Sequence, residues 1–144
     1  MKTLRLSCAH ALFKFLIAQK TIIDGKKVPL FPGAFAIYGH GNVACLGQAM
    51  EEFQSDLPGY RGHHEQSMAL SGIGYARAMR RKQIFIATSS SGPGAMNMVT
   101  AAGVALSNRL PLLLLPGDVF ASRFPDPVLQ LSLIHISEPT RQPC

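Results

Sequence analysis

Three glycine-rich turns carry residue types suited to binding a small ligand. They are residues 39–42 (GHGN), 88–94 (TSSSGPG) and 116–118 (PGD), and each follows a short apolar run typical of a buried strand. Glycine lets a backbone approach a ligand closely, and a helix beginning after Gly92-Pro93-Gly94 offers free backbone N–H groups. The alternative is a set of tight strand-to-helix turns that bind nothing.

One carboxylate stands out among the acidic residues. Glu65 follows His63 and His64 and begins a segment whose small residues predict a helix packed very closely against a neighbour: Ala69, Ser71, Gly72, Gly74 and Ala76. An acid at the head of a helix complements the helix dipole. Held away from water, the same group is a candidate for proton transfer.

Other ligand motifs do not match. Residues 39–47 (GHGNVACLG) lack the glycine spacing of a dinucleotide fingerprint, and SGPGAMN has no Gly-Lys-Ser/Thr of a phosphate loop. Three cysteines without metal-ligand spacing indicate neither a disulfide framework nor a zinc site. The basic run Arg77, Arg80, Arg81 and Lys82 ends a predicted helix and has no interleaved aromatic residues, so we expect no nucleic-acid partner.

The composition points to a single soluble domain. The 144 residues are 47% apolar, which excludes a disordered polar chain, and carry a net charge of +6. Only 15% are charged, against roughly 25% in ordinary soluble domains, so part of the surface is expected to be covered. The longest apolar run, residues 110–115, is far shorter than the roughly 20 residues of a membrane span. The N-terminal segment predicts an amphipathic helix rather than a signal peptide, and we expect a cytoplasmic protein.

Helical and strand patterns alternate along the chain. Ser7 is a predicted N-cap for a helix to about Lys20, with Cys8, Leu12, Phe15, Leu16 and Gln19 at helical spacing. A polar turn (23–29), a strand (34–38), a helix to about Gln54 and a loop (55–64) follow. Next come a helix (65–79), a strand (83–87), a helix (95–107) and a strand (112–115). The pattern predicts an α/β fold, a doubly wound, mostly parallel sheet with helices on both faces. Its three glycine-rich turns would then share the carboxyl edge, where such sheets bind ligands.

The last fourteen residues, 131–144, do not continue this pattern. Residues 131–141 (LSLIHISEPTR) match one translated reading frame of a transposon-end sequencing adapter at all eleven positions. We therefore interpret residues 1–130 as a partial domain and residues 131–144 as a non-native tail with few contacts to the fold.

Four motifs, taken in order, resemble the pyrimidine-binding domain of thiamine diphosphate enzymes. They are Glu65 with its small-residue helix, GYARA (74–78), TSSSGPGAMN (88–97) and NRLPLLLLPGD (108–118). Within that superfamily, GHGN, YRGHHEQSMA and DVFASRFPDPVLQ look like the trihydroxycyclohexane-dione hydrolases of myo-inositol catabolism. The likeness covers essentially all of residues 1–130, with mild departures at Ser90-Ser91 and Cys45.

The resemblance implies a chemistry and a set of roles. Glu65 would bond the aminopyrimidine ring nitrogen and favour the tautomer that removes the thiazolium proton, so that the cofactor can attack a carbonyl of a cyclic 1,2-dione. Gly92, Pro93, Gly94 and Asn97 would shape the pyrimidine pocket. His40 would contact substrate or position water, or equally pack within its turn. Mg²⁺ and the diphosphate would be held by a diphosphate-binding domain of a second subunit in a homodimer or homotetramer, so the isolated chain should be inactive.

The sequence is also compatible with two other functions. One is a different thiamine diphosphate enzyme, such as an acetolactate synthase-like carboligase or a 2-oxo-acid decarboxylase. The other is a non-catalytic interaction domain. We expect no membrane partner in any of these cases.

Overall fold

A four-stranded parallel sheet lies at the centre of the molecule. The computed structural model describes residues 4–117, and within them β3 (Ala34–Ala36), β4 (Gly59–Arg61), β5 (Ile86–Ser89) and β6 (Leu113–Pro116) lie in the order β4-β3-β5-β6. The chain passes from β3 to β4 on one side and then to β5 on the other side of β3. The winding therefore reverses between β3 and β5, and sheets of this kind bind ligands beyond the carboxyl ends of two such strands.

Helices cover both faces of this sheet, as predicted. They are α1 (Cys8–Ala18), α2 (Gly39–Asn42), α3 (Gln48–Glu52), α4 (Glu65–Ala78), α5 (Pro93–Asn97) and α6 (Val99–Asn108). Ile86 belongs to a core cluster with residues of α1 and α3, whereas Ala87 belongs to a second cluster with residues of α4 and α6. Successive residues of a strand point to opposite faces, so these two clusters are the two sides of a doubly wound fold.

The small residues of α4 allow the close packing expected from the sequence. Ala69 and Ala76 are completely buried. A Cβ atom added at Gly72 would lie 3.0 Å from Leu112 Cδ1 and 3.3 Å from Phe85 Cβ. A Cβ atom at this position would crowd both neighbours, so glycine favours the close approach of α4 to the sheet.

Helix α1 begins where the sequence predicts, but it buries a different face. The Ser7 hydroxyl accepts a hydrogen bond from the backbone N–H of His10 at 3.2 Å, which confirms the N-cap. The buried residues are Ala9, Phe13 and Leu16, whereas Phe15 is 61% exposed. The Phe13 ring stacks against Phe53 with 6.5 Å between ring centroids, so contact with the segment after α3 decided which apolar residues turned inward.

A β-hairpin occupies the segment predicted as a polar turn. Strands β1 (Lys20–Ile23) and β2 (Lys26–Pro29) pair antiparallel, and only Asp24 and Gly25 form the turn. Both have positive φ angles, 49° and 75°, as the two-residue turns that match the twist of a hairpin require.

The remaining differences concern breaks and boundaries. The segment GHGN, predicted as a turn, is itself helical, and the helix predicted after it begins as a π-helical segment, Val43–Gly47, before it continues as α3. The helix predicted over 95–107 is divided at Met98 into α5 and α6. Strand β5 begins three residues later than predicted, at Ile86. Strand β4 falls within the predicted loop 55–64, because an exposed edge strand of three residues carries no apolar alternation.

Candidate active site

The three glycine-rich turns meet at the carboxyl edge of the sheet, which confirms the topological prediction. The Asn42 side-chain amide and the backbone N–H of Gly117 both donate to the carbonyl oxygen of Ser89, each at 2.9 Å. A Cβ atom at Gly117 would lie 2.9 Å from the backbone nitrogen of Ser91. The segments that follow β3 and β6 thus both hydrogen-bond to one carbonyl group at the end of β5.

Glycines at this edge permit backbone geometry that other residues rarely adopt. Gly39 has a φ of 61°, and a Cβ atom there would overlap the side chain of Ser90. Gly92 has a φ of 63° and precedes Pro93, which occupies the first turn of α5. Proline suits that position because its fixed φ is helical and its missing N–H would have had no helical partner.

The side chain of Glu65 faces the second of these turns. One carboxylate oxygen, Oε2, accepts a hydrogen bond from the amide nitrogen of Asn97 at 2.9 Å. The other, Oε1, lies 3.1 Å from where a Cβ atom would stand at Gly94. Gly94 is buried and Glu65 is half-buried, so the lack of a side chain at 94 keeps Oε1 open toward the turn. Within the described residues, Asn97 provides the hydrogen bond to this carboxylate.

His64 adds a second contact to the same amide. As the N-cap of α4, its Nδ1 accepts from the backbone N–H of Ser67 at 3.2 Å, and its Nε2 lies 3.2 Å from Asn97 Nδ2. A neutral imidazole has one N–H and one accepting nitrogen, so it cannot accept at both places. The Asn97 amide can donate to Nε2 only when Nδ1 carries the proton and donates to the Ser67 hydroxyl, 3.1 Å away. The orientation of Asn97 is thereby coupled to the tautomer of His64.

A cavity of about 770 Å³ opens between the ends of β3 and β4. Tyr38, Val43, Arg61 and His63 are among its lining residues, so it combines an aromatic ring, an apolar side chain and two basic groups. The Tyr38 hydroxyl donates to the sulfur of Met50 at 3.3 Å, and burial raises the pKa of Tyr38 above its ordinary value. His63 stands two residues before Glu65, so the cavity adjoins the head of α4.

The structure brings together five of the residues singled out in the sequence. Glu65, Gly92, Pro93, Gly94 and Asn97 lie where α4 meets α5. His40 is the second residue of α2, at the same edge of the sheet.

Several residues at this edge were not singled out as binding residues. Asn42 belongs to the GHGN motif and His64 precedes Glu65, so sequence proximity was their only signal. Arg61 belongs to the motif YRGHHEQSMA, but its strand was not predicted, so its position at this edge was not expected.

Two broader features of the described residues limit what the site contains. Over residues 4–117, no group of three histidine, cysteine, aspartate or glutamate side chains is placed to hold a metal ion. No helix in the same range is long and apolar enough to cross a bilayer.

Comparison with known proteins identifies the family of this chain. Residues 33–136 match the family described as "Thiamine pyrophosphate enzyme, N-terminal TPP binding domain". The chain belongs to this family. Thiamine pyrophosphate is another name for thiamine diphosphate. The parallel sheet with helices on both faces agrees with the α/β N-terminal domain of this family.

Similar proteins from several bacteria have the same name. The chain is 56% identical over 130 residues to the 3D-(3,5/4)-trihydroxycyclohexane-1,2-dione hydrolase of Geobacillus thermodenitrificans (strain NG80-2). It is 53% identical over 130 residues to the protein of that name from Clostridium tetani (strain Massachusetts / E88) and 50% over 129 residues to that from Listeria monocytogenes serotype 4b (strain F2365). Each alignment covers 90% of this chain and 20% of the relative, so the chain spans about one fifth of their length.

Proposed function

We propose that this chain is the pyrimidine-binding part of a thiamine diphosphate-dependent hydrolase that opens the ring of a trihydroxycyclohexane-1,2-dione in inositol catabolism. Identities of 50–56% to hydrolases of that name support the substrate class. The observation that carries the proposal is the Glu65 carboxylate, held by Asn97 on one oxygen and facing Gly94 with the other.

The residues at the head of α4 fit the ring of such a cofactor. A carboxyl group that exchanges a proton with a ring nitrogen needs one oxygen fixed and the other accessible. Asn97 fixes Oε2 by donating a hydrogen bond, and the missing side chain at Gly94 leaves room beside Oε1. Gly92 and Pro93 position this turn, with Gly92 supplying the positive φ and Pro93 starting α5.

Thiamine diphosphate, when bound, supplies a nucleophilic carbon and an electron sink for cleaving a bond beside a carbonyl group. The role of Glu65 is to hold a proton at the ring nitrogen and return it. Asn97 orients the carboxylate, and His64 orients Asn97. The His40 backbone lies at the same edge, and we assign its side chain to substrate contact or to positioning water.

The cavity beside α4 suits a polyhydroxylated cyclic dione. Arg61 and His63 supply hydrogen-bond donors for hydroxyl or carbonyl oxygens, while Tyr38 and Val43 supply apolar surface for the ring carbons. Mg²⁺ and the diphosphate group belong, in this proposal, to a diphosphate-binding domain of a second subunit in a cytoplasmic homodimer or homotetramer.

The first test replaces Glu65 in the complete polypeptide that contains this segment. Gln keeps the shape of Glu65 but cannot exchange a proton, and general acid–base assistance contributes about 10²–10⁴ in rate. We expect Glu65→Gln to lower turnover of the cyclic dione at least about a hundredfold. Exchange of the thiazolium C2 proton on the bound cofactor, followed by NMR, should slow in parallel.

Glu51→Gln is the matched control, because Glu51 is an exposed acid on α3. It should leave both rates unchanged. If Glu65→Gln exchanged the C2 proton as fast as the wild type, the role of Glu65 would be wrong. If C2 exchange slowed but only 2-oxo acids were turned over, the substrate assignment would fail while the role of Glu65 stood.

A further inference from the structure

A group of arginines lies at the edge of the sheet opposite the candidate active site. Helix α4 runs from Glu65, at the carboxyl edge, back to Ala78, and α6 runs in the same sense and ends at Asn108. Arg77 lies in the last turn of α4, Arg80 and Arg81 follow its end, and Arg109 follows α6. These four residues therefore mark the amino edge, away from Glu65.

The backbone at three of these arginines is left-handed. The φ angles are 52° at Arg80, 65° at Arg81 and 52° at Arg109. Helices commonly end with such a residue, and glycine is the usual choice because it has no Cβ to clash. Here arginine stands at all three positions. Unfavourable backbone conformations of this kind tend to be retained where a side chain is needed for function.

The backbone hydrogen bonds that close both helix ends form without the guanidinium groups. The backbone N–H of Arg81 donates to Ala76 O at 2.7 Å, and that of Leu110 donates to Ala105 O at 2.9 Å. These are the bonds of a helix-ending motif that any residue able to adopt the left-handed conformation can form. The arginine side chains are therefore not needed to close either helix.

A pocket of about 220 Å³ lies among these side chains. Arg77, Arg80, Arg81 and Leu110 line it. Within residues 4–117, the one basic side chain that lies within 4.0 Å of a carboxylate is that of His10, which contacts Glu52, so none of these guanidinium groups is neutralised by a described carboxylate. The helix ends contribute about half a negative charge each, which three guanidinium groups outweigh.

We propose that this pocket binds a small phosphate-type oxyanion, either phosphate or a diphosphate group, at a site separate from the candidate active site. Guanidinium groups match the oxygens of such anions through paired, charge-assisted hydrogen bonds. The pocket is large enough for one or two phosphate groups and too small for a whole nucleotide, so we assign it to the phosphate portion of a ligand.

The test uses the complete polypeptide with its cofactor sites saturated. Isothermal titration with inorganic phosphate and then with diphosphate, in a low-salt chloride buffer, should detect binding by the wild type. The double variant Arg80→Gly/Arg81→Gly should bind at least about tenfold more weakly, because two charge-assisted contacts are lost. Its unfolding midpoint should stay unchanged or rise, since glycine suits both backbone positions.

Asp24→Gly is the matched control, because Asp24 has a φ of 49° in the distant hairpin turn and carries no guanidinium group. It should bind the anion as the wild type does, and so should Glu65→Gln. Several results would overturn the proposal. They are no binding by the wild type, equal binding by the double variant, or a lowered midpoint with binding intact, which would indicate a purely structural role. Tighter binding of duplex DNA than of diphosphate, falling steeply with salt, would identify a nucleic-acid surface instead.

Discussion

At the scale of single residues, Asn97 decides how the central carboxylate is presented. Its amide donates to Glu65 Oε2 at 2.9 Å and lies 3.2 Å from His64 Nε2. The Glu65 oxygen accepts this bond, whereas His64 Nε2 can accept only in the tautomer whose proton is on Nδ1. The amide therefore lies between two side chains that have no direct bond to each other among the described contacts. Asn97 is thus a positioning residue for Glu65.

Substitution of Asn97 by Asp should be more harmful than substitution by Ala. Ala removes the donor, whereas Asp places a second negative charge about 3 Å from the carboxylate of Glu65, and like charges at that distance repel strongly. We expect Asn97→Ala to lower turnover about tenfold and Asn97→Asp to lower it further. Steady-state kinetics on the complete polypeptide check this order.

Asn108→Asp controls for the change in charge, because Asn108 lies at the far end of α6 and its side-chain amide, among the described residues, donates to the carbonyl of Val104. Its turnover should match the wild type. Equal losses in Asn97→Ala and Asn97→Asp would contradict a role in orienting Glu65, since a simple packing role would not distinguish the added charge.

At the scale of elements, the short helix α5 contacts the long helix α4 at Gly94, where a side chain would crowd Glu65. Gly94 lies in α5, and a Cβ atom there would stand 3.1 Å from Glu65 Oε1 and 3.4 Å from Ser90 Cβ. Gly74 lies in α4, and a Cβ atom there would meet nothing within 4 Å. The two glycines thus differ in surroundings while both are helical.

Alanine should therefore stabilise the fold at Gly74 and impair turnover at Gly94. Gly74→Ala should raise the free energy of unfolding by about 1 kcal/mol, because alanine favours helix and the space is open. Gly94→Ala should keep the fold but lower turnover at least about tenfold, because the added methyl group displaces the Glu65 carboxylate. Urea unfolding and steady-state kinetics measure the two effects. Wild-type turnover in Gly94→Ala would show that the carboxylate does not need this space.

At the scale of the whole molecule, half-buried tyrosine hydroxyl groups join elements that are distant in the chain. The Tyr75 hydroxyl donates to Gln83 Oε1 at 2.8 Å, and the Gln83 amide donates to Pro29 O at 2.8 Å, so α4, the approach to β5 and the hairpin are linked. Burial raises the pKa of Tyr75, and the charge of Tyr60 raises it further. Burial also raises the pKa of Tyr38, which links the end of β3 to α3.

These shifts predict how stability depends on alkaline pH. A tyrosine whose pKa is higher in the folded state than its ordinary value of 10.0 releases its proton more readily when unfolded. The unfolded chain then binds fewer protons, so the free energy of unfolding falls as pH rises through and above 10. Unfolding by urea at a series of pH values from 8 to 11 should show this decline.

The double variant Tyr38→Phe/Tyr75→Phe should flatten the decline, because it removes both ionisations. Its stability near pH 8 should be lower by roughly 1–3 kcal/mol, since a hydrogen bond is lost at each position. A slope above pH 10 that is unchanged in this variant would place the alkaline sensitivity in other groups.

The sequence by itself determined the class of fold and most of the candidate site. Apolar runs punctuated by glycine turns specified parallel strands, and chain topology then placed the turns at one edge, where Asn42 and Gly117 meet at Ser89. Glu65 and Gly94 were identifiable because their motifs are local and strand–turn–helix geometry places them. Asn97 was expected only from the resemblance to thiamine diphosphate enzymes. The Ser7 cap was predictable for the same reason, since it depends on only three neighbouring residues.

Tertiary structure decided what depends on contacts between distant segments. Phe13 rather than Phe15 is buried because Phe53 lies on that side of α1, which no local pattern records. Strand β4 forms because Gly59, Tyr60 and Arg61 pair with β3. The strand therefore depends on hydrogen bonds to a segment that is distant in the sequence. The helices also had to pack side by side before the two Glu65 oxygens could meet their partners. The same packing brought together the arginines at the ends of α4 and α6. Local residue preferences specify elements, whereas the geometry of a site arises only when packing brings those elements to fixed distances.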